Sequence, residues 1–252
     1  PDPADLSNPA LVTYPPVLAF SDALPGPSGP VQPRRFTCEQ TVEQFCRFTP
    51  LFWDIFPRGL TSATPRTLMN RIRESSPTGL VFSWVNPDYA YGFQALSIAS
   101  EVLYVADDII FVPHSVGRAG KYSNGLASTR KEGPARRFFA SLPITEDQML
   151  EGMPVRTIWL WVNPVLFDFN KFYRRPGHRP QVDWVRYHAQ CIHIILVGRE
   201  WGADMSAEIR AVRDSLRQRG LFFTARVLAI TGYRSARGLF LRLVNFLKHR
   251  RH

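Results

Sequence analysis

Cysteine is scarce in this chain. Cys38, Cys46 and Cys191 are the whole supply among 252 residues. Three thiols cannot build a disulfide framework, so a stapled secreted module is excluded. Long hydrophobic runs are missing too. No apolar stretch reaches the roughly 18 residues that a membrane-spanning helix needs, which excludes an integral membrane segment. Charged residues amount to only 21%, too few for a disordered polyelectrolyte. Catalytic signatures are also absent: there is no Gly-x-Gly-x-x-Gly, no Walker loop, no His-Glu-x-x-His and no Gly-x-Ser-x-Gly elbow. His188 and His193 stand five apart, which on a strand places them on opposite faces and prevents a shared metal. Cys38 and Cys46 are eight apart with no second pair, which is no zinc pattern. The adjacent carboxylates Asp107 and Asp108 point to opposite faces of a strand, so they make no shared-proton dyad. The reading is therefore a non-enzyme, with no catalytic residue, no metal site and no cofactor.

Acid is what the last segment lacks. The chain holds 31 Lys and Arg against 21 Asp and Glu. From Arg210 to His252 there are eleven bases and a single acid, Asp214, which leaves 20 of each sign in residues 1–209. The body is neutral and the end carries the whole net charge of +10. Localised positive charge points to an anionic partner: nucleic acid, a membrane surface or an acidic protein face. Within the tail, Phe240, Leu243, Val244 and Leu247 follow helical spacing beside Arg242 and Lys248, the pattern of a basic amphipathic helix.

What the chain does have is proline, aromatics and a sizeable apolar fraction. Hydrophobic residues make up 45%, enough for a core, and Phe, Tyr and Trp reach 13%. Nine of the 21 prolines fall in residues 1–33. Proline fixes φ and removes an amide donor, so this region is expected to form neither helix nor inner strand and to run as an extended arm. Tyr14, Val17, Leu18 and Phe20 are its expected docking anchors. The first residues lack the profile of a secretory signal and there is no initiator Met, which reads as a processed product or a fragment.

Further on, short helices are expected at Thr41–Phe48 and Pro65–Glu74. Strands are expected at Leu80–Val85, Glu101–Val112, Pro154–Val162, Val185–Val197 and Leu221–Ile230. Pro154–Val162 alternates, with Val155, Thr157, Trp159 and Trp161 on one face. Trp159 and Trp161 would then form either a stacking platform or core under a loop. Arg118–Glu132 and Arg174–Pro180 read as loops. Several strands, long loops and two short helices predict an all-β fold, an eight-stranded antiparallel jelly-roll β-sandwich with short helices and an extended N-terminal arm. The expected division is an arm over 1–35, a jelly-roll domain over 36–232 and a basic tail over 233–252.

The order of segments resembles a major capsid protein of the picornavirus-like RNA viruses, of dicistrovirus or iflavirus type. Four stretches carry the resemblance: Thr41–Arg47, similar to a helix preceding the barrel; Ala95–Val112, similar to a helix and strand in mid-barrel; Val165–Arg175, with Phe169, Phe172 and Tyr173; and Ile209–Ile230, leading into Gly220-Leu221-Phe222-Phe223. Ala211-Val212-Arg213-Asp214 stands where that family usually has a Tyr-Arg-Ala-like wording. The resemblance implies a jelly roll in an icosahedral shell around positive-strand RNA. Its partners would be related capsid subunits and genomic RNA, with interlaced arms, and its location the virion, with the host cytoplasm during assembly. The alternative is an RNA-contacting structural subunit of a large ribonucleoprotein such as an organellar ribosome. There Arg234, Arg237, Arg242, Lys248, Arg250 and Arg251 would touch phosphates or a partner.

Overall fold

The computed structural model describes residues 10–13, 33–59, 62–82, 85–104, 131 and 133–233, with backbone alone at 10–13, 54 and 134. Helices dominate, around one small mixed sheet. In chain order the elements are β1 (Ala10–Thr13), β2 (Arg34–Thr37), α1 (Cys38–Cys46), α2 (Pro50–Ile55), β3 (Ser62–Ala63), α3 (Arg66–Ser75), α4 (Pro87–Ile98), β4 (Glu101–Tyr104), α5 (Gly133–Ser141), α6 (Glu146–Met149), α7 (Val162–Phe172), α8 (Trp184–Glu200) and α9 (Ser206–Arg219). A further helix, α10, covers 221–233.

The predicted jelly roll is therefore corrected: the described residues form a helical body with four short strands in the order β2-β4-β1-β3. The capsid and virus vocabulary that rested on the jelly roll is corrected with it. Of the five expected strands, only Glu101–Val112 contains one, and it is β4; residues 105–112 lie outside the described residues. Val185–Val197 is helix α8 and Leu221–Ile230 lies in helix α10. Pro154–Val162 is a run of turns that leads into α7, and the described residues of Leu80–Val85 are bends and coil. Two of the resembling stretches change character: Val165–Arg175 is mostly the helix α7, and Ile209–Ile230 is helical apart from Gly220.

The physical reasons are specific. Asp183 caps α8, its Oδ1 accepting from the amides of Val185 (3.1 Å) and Arg186 (3.0 Å). Along α8 the buried residues Tyr187, His188, Cys191, Ile194, Ile195 and Gly198 recur at helical intervals. A helix buried over much of its surface and a buried strand look alike over a short apolar run, and only the longer period separates them. In the 154–161 segment the carbonyls of Val155 and Thr157 accept from Nδ2 of Asn163, at 2.8 and 2.7 Å. Those acceptors are therefore unavailable to a ladder partner.

Residues 10–13 also depart from expectation. Ala10–Thr13 is an inner strand, parallel to β4 and antiparallel to β3. It falls in the proline-free window between Pro9 and Pro15, so every amide needed for pairing is present. The helix expected at Thr41–Phe48 exists but begins at Cys38. Thr37 and Gln40 form a reciprocal capping box there, both hydrogen bonds at 3.0 Å. The helix expected at Pro65–Glu74 is α3, and the 174–180 loop is present.

The core is aromatic. Phe45 of α1 sits 4.9 Å from Phe52 of α2, 5.0 Å from Phe93 of α4 and 5.1 Å from Phe169 of α7, between ring centroids. Four helices thus share one cluster of tilted and edge-on rings, the arrangement that ring quadrupoles favour. Phe48 closes α1 with φ at +48°, a left-handed conformation that costs about 1–2 kcal/mol in a residue with a Cβ. Its ring is buried against Phe45 and Tyr187, and that packing holds it there.

Candidate nucleic-acid interface

The basic segment begins on α9. Arg210, Arg213 and Arg217 are spaced i, i+3 and i+7, and all three are exposed. That spacing places them on one face over about 10 Å of helix. The face is held outward by what lies beneath it. Glu208, Val212 and Ser215 are buried on the opposite side of α9. Glu208 is engaged inside the protein: Lys131 Nζ lies 2.7 Å from its Oε2, and Thr157 Oγ1 donates to its Oε1 at 3.3 Å. Its negative charge is therefore neutralised internally. The acid that remains on the outer face is Asp214, 3.6 Å from Arg213 and 3.8 Å from Arg217. Exposed pairs of this kind are worth little, and one carboxylate cannot neutralise three guanidinium groups.

α10 extends the surface. Phe223, Val227 and Ile230 pack toward Val185, Ala189 and Ile192 of α8, again at helical spacing. The other side of α10 stays wet, with Leu221 90% and Phe222 79% exposed, and Leu228 and Tyr233 also outside. Arg219 lies over the rings of Trp184 (5.9 Å) and Phe223 (5.1 Å), and Arg226 over Phe222 (6.0 Å). The surface thus alternates guanidinium groups and aromatic faces, which can offer phosphate contacts and base-stacking platforms together.

His188 clamps α8 to α9. Its Nδ1 is 2.6 Å from the Trp184 carbonyl oxygen and its Nε2 is 2.9 Å from Ser215 Oγ. A carbonyl only accepts, so Nδ1 carries the proton and Nε2 accepts from the serine hydroxyl. Burial, assisted by the nearby charge of Arg219, pulls the imidazole pKa down to about 4. The imidazole is a structural clamp, and His193 lies on the exposed side of α8.

The other residues singled out from sequence scatter. Tyr14, Val17, Leu18, Phe20, Asp107 and Asp108 lie outside the described residues, as do Arg234, Arg237, Arg242, Lys248, Arg250 and Arg251. Trp159 packs edge-on to Phe139 and Trp161 edge-on to Trp53, so the two form no common platform. Cys38, Cys46 and Cys191 are buried free thiols, each pushed up to about 12 by burial. Among the described residues no His, Cys, Asp and Glu side chains gather into a metal-binding group, and no helix is long and apolar enough to cross a membrane. The sequence reading missed the arginine face of α9, although the i, i+3, i+7 spacing was there to be read once the segment was taken as helix.

No family model, no curated protein and no solved structure matches the chain.

Proposed function

We propose that the chain is a non-catalytic, RNA-contacting structural subunit of a larger ribonucleoprotein. The observation that carries this reading is the exposed Arg210, Arg213 and Arg217 face of α9, at the start of a segment that holds the entire positive excess of the chain. Phosphates meet the arginines as bidentate acceptors, and unpaired bases stack on the exposed Phe222. Arg234, Arg237, Arg242, Lys248, Arg250 and Arg251 continue the same charge along the sequence. The apolar side chains exposed on α10 suit a subunit that meets protein neighbours as well as RNA. The capsid reading is not carried further, because the jelly roll that implied it is absent from this fold.

The test is anisotropy of a labelled single-stranded RNA across a salt series. Binding should weaken linearly in log–log form, with a slope of about −0.7 per phosphate neutralised. Changing Arg210, Arg213 and Arg217 together to Ala should make that slope shallower by about 2, since three contacts are lost. Salt-independent binding, or a slope the triple variant leaves unchanged, would remove the proposal.

A further inference from the structure

The composition of α10 does not fit a helix with one side in water. Over residues 221–233, Arg226 is the only charged side chain. A helix that is apolar all round is normally covered all round. Here α8 covers one side, through Phe223, Val227 and Ile230. The threonine hydroxyls are turned back onto the helix: Thr224 Oγ1 donates to the Gly220 carbonyl at 3.0 Å, and Thr231 Oγ1 to the Val227 carbonyl at 2.9 Å.

The uncovered side has a regular form. Leu221, Ala225, Leu228 and Gly232 are all exposed, Leu221 at 90% and Leu228 at 57%. They are spaced i, i+4, i+7 and i+11. At about 100° per residue they fall within about 60° of arc and run about 17 Å along the axis. Apolar positions alternating three and four apart make the seam of a helix–helix contact. The four side chains carry no cation and no hydrogen-bonding group, so they offer nothing to a phosphate. The guanidinium of α10 lies on the neighbouring stripe, where Arg226 stands over Phe222.

Charge and shape select the occupant. No Asp or Glu follows Asp214 in the sequence. Arg219 precedes α10 and Arg226 borders the seam, and both are exposed. A second copy of this chain, docked about a two-fold axis, would set these arginines against their own counterparts, which like charge opposes. A partner with carboxylates beside its apolar face meets them favourably. A bilayer rewards bulky side chains. Two of the four seam positions are instead Ala225 and Gly232, which add little apolar area and let another helix backbone come close.

We propose that this seam of α10 docks an acidic amphipathic helix of a protein neighbour. The apolar residues of that helix pack between Leu221 and Leu228 over Ala225, and its flanking carboxylates pair with Arg219 and Arg226. The seam uses none of Arg210, Arg213 and Arg217. The inference therefore goes beyond the RNA reading and does not fall with it.

The probe is a labelled helical peptide of about three heptads, with Leu at positions a and d and Glu at e and g. Its control carries Lys in place of Glu. Anisotropy is measured with the full chain, at concentrations where each peptide alone is monomeric. The Glu peptide is expected to bind saturably and about tenfold or more tighter than the Lys peptide. Changing Leu221 and Leu228 together to Ser leaves the α8 contact intact and should weaken the Glu peptide about tenfold or more, with RNA affinity unchanged. Ala225→Trp adds apolar area but blocks close approach, so it should weaken the peptide as well. No binding of the Glu peptide, equal binding of the Lys peptide, or an Ala225→Trp protein that binds as tightly as wild type would overturn the assignment. Capture by phosphatidylcholine–phosphatidylserine vesicles that Ala225→Trp strengthens would give the face to lipid instead. Dimerisation of the chain that the double Leu variant abolishes would give it to a second copy.

Discussion

Two buried groups set the acid–base behaviour of the fold. His188 is neutral when folded, with its pKa pulled to about 4, while the free side chain titrates near 6.5. Between those values the unfolded chain takes up a proton that the folded chain refuses. Stability is therefore full above about pH 6.5 and falls as the pH drops toward 4, by up to about 3 kcal/mol. Asp168 works in the opposite sense. Burial pushes its carboxyl well above the usual range, against the hydrogen bonds it accepts on Oδ2 from the backbone amide and Nδ2 of Asn86 (3.1 and 3.0 Å). Its contribution is present at low pH and is lost as the pH rises through the raised value. The two are separated by comparing wild type with His188→Gln in denaturant titrations from pH 7.5 to 4.5. The variant should be the weaker at pH 7.5 and should lose the slope between pH 6.5 and 4. A wild-type–variant difference that does not change with pH would refute the histidine account. Neither pKa shift was legible in the sequence. Each depends on what covers it, and for Asp168 that includes Asn86, 82 residues away.

At the scale of elements, one close approach joins α4 to the end of α2. A Cβ placed on Gly92 would lie 2.5 and 2.7 Å from the Phe56 ring and 2.7 Å from the carbonyl oxygen of Pro57. The helix can come this close only because position 92 has no side chain. Gly92→Ala should destabilise by about 1–3 kcal/mol despite alanine's better helix propensity, as in other overpacked cores. Urea unfolding checks this, and a neutral or stabilising result would mean that Phe56 swings aside at no cost. The same scale explains which elements could be read in advance. α1 and α3 carry local start signals, and both were placed to within a few residues, although α1 was started at Thr41 and its cap is Thr37 with Gln40. α8 also has a local cap in Asp183, yet its apolar run Ile192–Val197 reads equally well as a strand. What makes it helix is the buried series from Tyr187 to Gly198, which becomes visible only over about three turns.

At the scale of the whole molecule, the sheet is the most non-local feature. β1 pairs with β4 about 90 residues later in the chain, with Ala10 opposite Glu101 and Thr13 opposite Tyr104. An inner strand supplied by the N-terminal region makes that region part of the body. Deleting residues 1–13 should expose the edges of β4 and β3, lower the urea midpoint and promote association through the unpaired edges. Urea titration and light scattering would report both effects. An unchanged midpoint with a monodisperse particle would show that the pairing contributes nothing to stability. The arm expected over residues 1–35 thus contributes a strand to the body.

Some properties of this protein were determined by sequence alone: the segregation of positive charge into the last 43 residues, the capping box of α1, the loop at 174–180, and the proline-free window where β1 forms. These depend on neighbours within a turn or two, or simply on counting charge. Tertiary structure decided whether each short apolar run became helix or strand, because a short run buried on several sides shows no clear period of its own. It alone placed the phenylalanines of four helices in one cluster. Contacts across 80 residues leave no mark on local spacing, since nothing within one turn of either partner records where the chain returns.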